Sequence, residues 1–224
     1  MTGARLLAID TATSVAVVAL GSADGTLEAA DGWPAGYRHG EDLLPRIRAL
    51  LADRSTSLED LAGVIVGTGP GAFTGLRVGI ATAKGIAHAL ALPIAGVPSG
   101  EALIDAAARA GVGEPVLLLP AGPNDTVIVR SGASPERIPG GSLPALAEGE
   151  SLVALDLDGR APAEALARGA RAREGFAAAL LRIGAERLAN GRGDDLARLV
   201  PEYVTLPRGV AATSGEVAWS RDPR

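Results

Sequence analysis

Two short segments of the sequence hold residue types that could handle an anion. Residues 67–75 read Gly-Thr-Gly-Pro-Gly-Ala-Phe-Thr-Gly, lying between an apolar run and a helical pattern. Such a loop can turn the backbone N–H groups of Gly69 and Gly71 and the hydroxyl of Thr74 toward a phosphate. It can equally be a tight turn that lets strand and helix pack closely. A P-loop needs Lys and Ser/Thr directly after its last glycine, whereas Gly75 is followed by Leu76 and Arg77. The glycine spacing of a dinucleotide fingerprint is absent as well. The second segment, Asp10-Thr11-Ala12-Thr13-Ser14, puts an acid and hydroxyls at a bend between two apolar runs. It suits a phosphate-holding hairpin or an ordinary Asx/ST turn, and no glycine inside it eases backbone approach to a phosphate. The candidates for nucleotide or anion contact are therefore Asp10, Thr11, Gly69, Gly71 and Thr74.

Other chemistry is excluded by composition. The chain has no cysteine and two histidines, His39 and His88, in separate segments. A thiol nucleophile, a zinc-thiolate site and a site of several imidazoles are ruled out. No Gly-x-Ser-x-Gly elbow occurs. No catalytic residue and no metal site is expected. Net charge is -5, and of 21 basic residues only Lys84 is a lysine. A chain this acidic should not hold a nucleic-acid backbone by itself, so any RNA contact needs another subunit's positive surface. At 224 residues it can bury a core without staples, as one large domain or two small ones. The apolar run at 6–9 is too short for a signal peptide and none is long enough for a membrane span, so a cytoplasmic protein with no membrane contact is expected.

These segments need elements to hold them. Residues 6–10, 15–20 and 26–30 read as an antiparallel meander. Helix 41–52, strand 63–67, helix 76–90, strand 93–97 and helix 100–109 follow, an α/β pattern with a mixed sheet. Beyond 111 the pattern gives strands at 116–119, 126–130 and 152–155, a loop over 131–149 and a helix over 176–189. The expected division is 1–110, 111–208 and a fraying tail from 209 to 224. On helix 76–90, Arg77, Lys84 and His88 fall within roughly 40° of one another. Gly79, Thr82, Ala83 and Ile86 lie opposite, small enough to pack on a sheet. Leu76, Ile80 and Ala87 form one flank and Val78 the other, more apolar surface than one sheet face covers. The helix is expected to pack on a second chain as well.

Residues 69–85, Gly-Pro-Gly-Ala-Phe-Thr-Gly-Leu-Arg-Val-Gly-Ile-Ala-Thr-Ala-Lys-Gly, closely resemble the TsaB (YeaZ) family. Leu7-Ala8-Ile9-Asp10-Thr11-Ala12-Thr13, Arg38-His39-Gly40-Glu41-Asp42-Leu43-Leu44-Pro45 and Pro201-Glu202-Tyr203-Val204 look like the same family. The resemblance is strongest over residues 5–105. It implies the actin-like ATPase (ASKHA) fold: a mixed sheet with flanking helices, in two subdomains with a reduced second half. It also implies a non-catalytic accessory subunit that binds and activates TsaD, the enzyme forming threonylcarbamoyladenosine at position 37 of tRNA. TsaD binds a metal through two histidines, and those positions fall here at about Ser99 and Leu103, which cannot replace imidazoles. Where relatives often carry Asp-Ala-Arg, this chain reads Pro120-Ala121-Gly122-Pro123-Asn124-Asp125, in keeping with a reduced second half.

The same resemblance implies further partners. TsaE is an ATPase partner, tRNA is met only through the complex, and a homodimer forms when TsaD is absent. No cofactor of its own is implied, with ATP or ADP at the complex interface. The partner interface would use Leu43 and Ile47 of helix 41–52 with Leu76, Arg77, Ile80, Lys84, Ala87 and His88 of helix 76–90. Ile80→Glu or Ala87→Arg is then expected to abolish TsaD binding and leave the monomer folded. The alternative is a small ATPase or phosphotransferase of the actin-like fold, using the Asp10 hairpin and the 69–75 loop. A protease lacks its nucleophile here.

Overall fold

β1 (Arg5–Asp10) is apolar along both faces because both are covered: Leu7 and Ile9 point into one core, Leu6 and Ala8 into another. A strand buried on both sides has no solvated face to mark with polar residues. In this computed structural model, which describes residues 4–36 and 39–204, β1 is the middle strand of a five-stranded sheet. The order is β3 (Leu27–Pro34), β2 (Val15–Ser22), β1, β4 (Leu61–Gly69), β5 (Ile94–Pro98). β1, β2 and β3 pair antiparallel, whereas β1, β4 and β5 run parallel. Helices α1 (His39–Asp53) and α2 (Phe73–Ala89) cover one face.

The second sheet has the order β8 (Glu136–Ile138), β7 (Thr126–Val129), β6 (Pro115–Pro120), β9 (Ser151–Ala154). β6 pairs antiparallel with β7 and parallel with β9, and β7 pairs antiparallel with β8. Order and strand senses repeat those of β3-β2-β1-β4, so the two sheets share one plan and the second lacks a fifth strand among the described residues. After β9 the chain enters α4 (Ala163–Ala189), whose Gly169 sits on the Ala154 carbonyl; a Cβ there would lie 1.9 Å from that oxygen. Further along, Gly184 seats α4 on Ile65 of β4, where a Cβ would lie 2.5 Å from its side chain. α3 (Ser99–Arg109) packs beside α4, and Arg182 pairs with Asp105 at 2.5 Å. Leu6, Ile65, Leu103, Leu117, Phe176 and Leu180 fill the space between the sheets.

The α/β class and mixed sheet agree with the sequence reading, and several boundaries move. The last helix begins at Ala163 rather than 176, because the alanine-rich stretch before Phe176 offers little apolar contrast from which to read a stripe. β8 lies inside 131–149, read as loop, and is formed by pairing along β7. β3 runs on through Trp33 to Pro34, and α2 starts at Phe73, inside the glycine stretch. The tail expected at 209–224 lies outside the described residues. No described helix is long and apolar enough to cross a membrane.

Candidate functional site

The bend after β1 and the glycine loop after β4 meet each other, and the meeting leaves no room between them. Ala72 N–H donates to the Ala12 carbonyl at 2.7 Å. Thr11 Oγ1 donates to the Gly75 carbonyl at 2.7 Å. A Cβ on Gly71 would lie 2.1 Å from the Ala12 oxygen, and one on Gly79 would lie 2.2 Å from Thr11 Oγ1. Gly67 serves the same purpose for Asp10, whose Oδ2 would be 1.7 Å from an added Cβ. These glycines are therefore explained by close packing between strand, hairpin and helix, the second of the two roles open to the loop.

Asp10 is fully buried in this seam. Its Oδ2 accepts from Ser99 Oγ at 2.5 Å and its Oδ1 from Ala12 N–H at 2.8 Å, while Ser99 Oγ also accepts from Gly69 N–H at 3.1 Å. Burial outweighs those hydrogen bonds and pushes the carboxyl up to about 6. Of the anion candidates, Asp10 and Thr11 are buried, the Gly69 N–H is engaged, and Gly71 and Thr74 are exposed. The five do not converge on a common cavity, and a phosphate does not fit between the hairpin and the loop. Ser99 belongs to this polar network and Leu103 to the core between the sheets.

The interface candidates divide. Leu43, Ile47, Leu76, Ile80 and Ala87 are buried within the chain itself, all but Leu76 in the core of α1, α2 and the first sheet. This corrects the reading of the α2 flank: the buried stripe runs through Leu76, Gly79, Ile80, Ala83 and Ala87, rotated from the one the sequence suggested. Ile80→Glu and Ala87→Arg would disrupt the fold and are unsuitable tests of docking. Arg77 and His88 are exposed, and Lys84 is half-buried with Nζ donating to the Leu199 carbonyl at 3.3 Å. At 100° per residue, Gly85 lies opposite the buried stripe, flanked by Thr74, Val78 and Ala81. On α1, Leu44 is 51% exposed beside Pro45 and Ala49.

A further polar cluster joins the two halves. Asp156, at φ 57°, accepts from Ser14 N–H at 2.8 Å, from Ser14 Oγ, and from Arg173 at 2.7 Å. Burial alone would raise its carboxyl, but these donors outweigh burial and hold it below the usual range. A cleft of about 430 Å3 lies at this cluster, lined by Ser14, Asp156 and Arg173, and a separate one of about 270 Å3 lies between the 70–73 loop, residues 119–122 and Tyr203.

The family profile described as TsaD: tRNA N6-adenosine threonylcarbamoyltransferase matches residues 34–182, more than half of the chain. The protein named tRNA threonylcarbamoyladenosine biosynthesis protein TsaB of Escherichia coli is 44% identical over 94 residues, 42% of this chain and 39% of the relative. The chain belongs to the TsaD family, in its TsaB (YeaZ) branch. An uncharacterized protein of Mycobacterium tuberculosis is 49% identical over 65 residues, 29% of this chain and 31% of that one. These alignments thus span well under half the length of the curated relatives. YeaZ from Pseudomonas aeruginosa superposes with TM-score 0.70 at 22% identity, covering 89% of this chain and 99% of that chain, which shows the shared fold.

The sequence reading gave none of the roles that the TsaB fold brings forward for four residues. Ser99 holds Asp10, Asp156 ties the halves together, and Tyr203 lies against Phe73. Gly85 had a readable signal, because a glycine in mid-helix costs about 1 kcal/mol relative to alanine and so needs a reason.

Proposed function

We propose that this chain is the non-catalytic partner of a TsaD-type transferase in threonylcarbamoyladenosine synthesis. It docks and activates the transferase through the outward sides of α1 and α2. The observation that carries the reading is Gly85. Among the described residues a Cβ at this position would meet nothing within 4 Å, so their packing does not call for a glycine there. Close approach of another chain would, and Val78 and Ala81 flank it on the helix with small or apolar surface, while α1 exposes Leu44. Arg77 and His88 border that surface. Membership of the family supports the choice of partner.

On this reading activation is a shift of the transferase toward its competent state, driven by differential contact with this subunit. The closed seam around Asp10 favours a location for ATP or ADP at the joint surface rather than between hairpin and loop. ATP turnover falls to TsaE, tRNA is met through the complex, and the same face pairs with a second copy when TsaD is absent. Gly85→Arg and Ala81→Arg should abolish co-purification with TsaD and modification by the reconstituted complex while leaving the circular dichroism spectrum unchanged. Full binding by both variants overturns the docking face.

A further inference from the structure

Residues 194–204 run back along the first sheet and meet α2 at Lys84 and at Phe73. Asp194 N–H donates to the Ile94 carbonyl at 2.8 Å, and Glu202 N–H donates to the Thr68 carbonyl at 2.7 Å. Between these two anchors, Leu196 and Leu199 pack against the core of α1 and α2. Lys84 donates to the Leu199 carbonyl, so its ammonium serves the chain's own backbone. Just beyond the second anchor, the ring of Tyr203 lies 5.0 Å from that of Phe73, tilted by 31°. The Arg77 guanidinium sits 5.1 Å from the centre of the same Phe73 ring. Arg77 is exposed and has no carboxylate partner among the described residues.

A guanidinium resting on an aromatic face keeps its fork of N–H donors free, and that fork matches a carboxylate in a bidentate pair. We propose that Tyr203 is a positioning residue: through Phe73 it holds Arg77 on the outward flank of α2, where Arg77 anchors a carboxylate on the partner's face. The proposal rests on the docking face proposed above and adds the chemistry of one contact on it. It also gives residues 194–204 a role at that face, although Tyr203 itself lies beside the cleft between the halves.

The test measures affinity of the full chain for purified TsaD by titration calorimetry at two salt concentrations, each variant being folded by circular dichroism. Arg77→Ala should weaken binding about 10-fold and flatten its salt dependence. Tyr203→Ala should weaken it about 3-fold and flatten the salt dependence in the same sense. Tyr203→Phe, which keeps the ring, should bind as the unaltered chain does. In the Arg77→Ala background, Tyr203→Ala should add nothing. Additive losses, a Tyr203→Phe variant as weak as Tyr203→Ala, or full binding by Arg77→Ala overturn the proposal. Those results leave the docking face standing when Gly85→Arg still abolishes binding, whereas failure of the unaltered chain to bind TsaD overturns both.

Discussion

Gly79 and Gly85 sit on one helix, six residues apart, for opposite reasons. Gly79 faces inward, where a Cβ would strike Thr11 Oγ1; Gly85 faces outward, where a Cβ would meet none of the described residues. The glycines that lead into α2 answer, like Gly79, to neighbours in the same chain. Gly67 and Gly71 make way for Asp10 and Ala12. On the outer side the described residues supply Gly85 with no such neighbour. The contrast separates residues that make the fold from residues that the fold displays.

Ile80→Glu tests the inner side most severely. It buries an unpaired carboxylate among Leu43, Ile47 and the first sheet and should cost more than about 4 kcal/mol, enough to abolish a urea-unfolding transition. A folded Ile80→Glu variant would erase the distinction between the two sides.

Asp10 gives the next largest effect. Its folded pKa of about 6 stands above its ordinary 3.8, so the stability it contributes is full below about pH 4 and is lost as pH rises through 6. The difference amounts to about 3 kcal/mol between those limits. Asp10→Asn should flatten this slope, measured as the urea midpoint at pH 4.5 and pH 7.5; an unchanged slope would assign it to other groups. Gly85→Ala is the gentlest test. Alanine fits the open space and should stabilise the monomer by up to about 1 kcal/mol, read as a higher melting temperature. A lower one would mean that Gly85 has a packing role inside the chain after all.

The parts of the fold legible in the sequence were those with strong local contrast. Leu6-Leu7-Ala8-Ile9 and residues 15–20 gave the first hairpin, and the glycine loop marked the turn from β4 into α2. The direction of the α2 stripe was harder to read. Alanine, glycine and threonine occupy both sides of this helix, and packing on the first sheet, chiefly β4, and on α1 selected a stripe centred on Leu76, Ile80 and Ala87. The opening turns of α4 were hidden by their alanine-rich composition, and Gly169 and Gly175 within them seat the helix on Ala154 and Ala106. The role of Ser99 was not legible, because its bond to Asp10 joins residues 89 positions apart and exists only once α3 is docked.

One helix also decides how this protein comes apart. At 27 residues α4 is about 40 Å long, with Gly169 on β9 and Gly184 on β4. Cutting the chain near residue 110 would strip Leu6, Ala8 and Ile65 of the cover that Phe176, Leu180 and Leu181 provide. Melting should accordingly register as one cooperative step, and neither portion should survive in isolation as a soluble fragment.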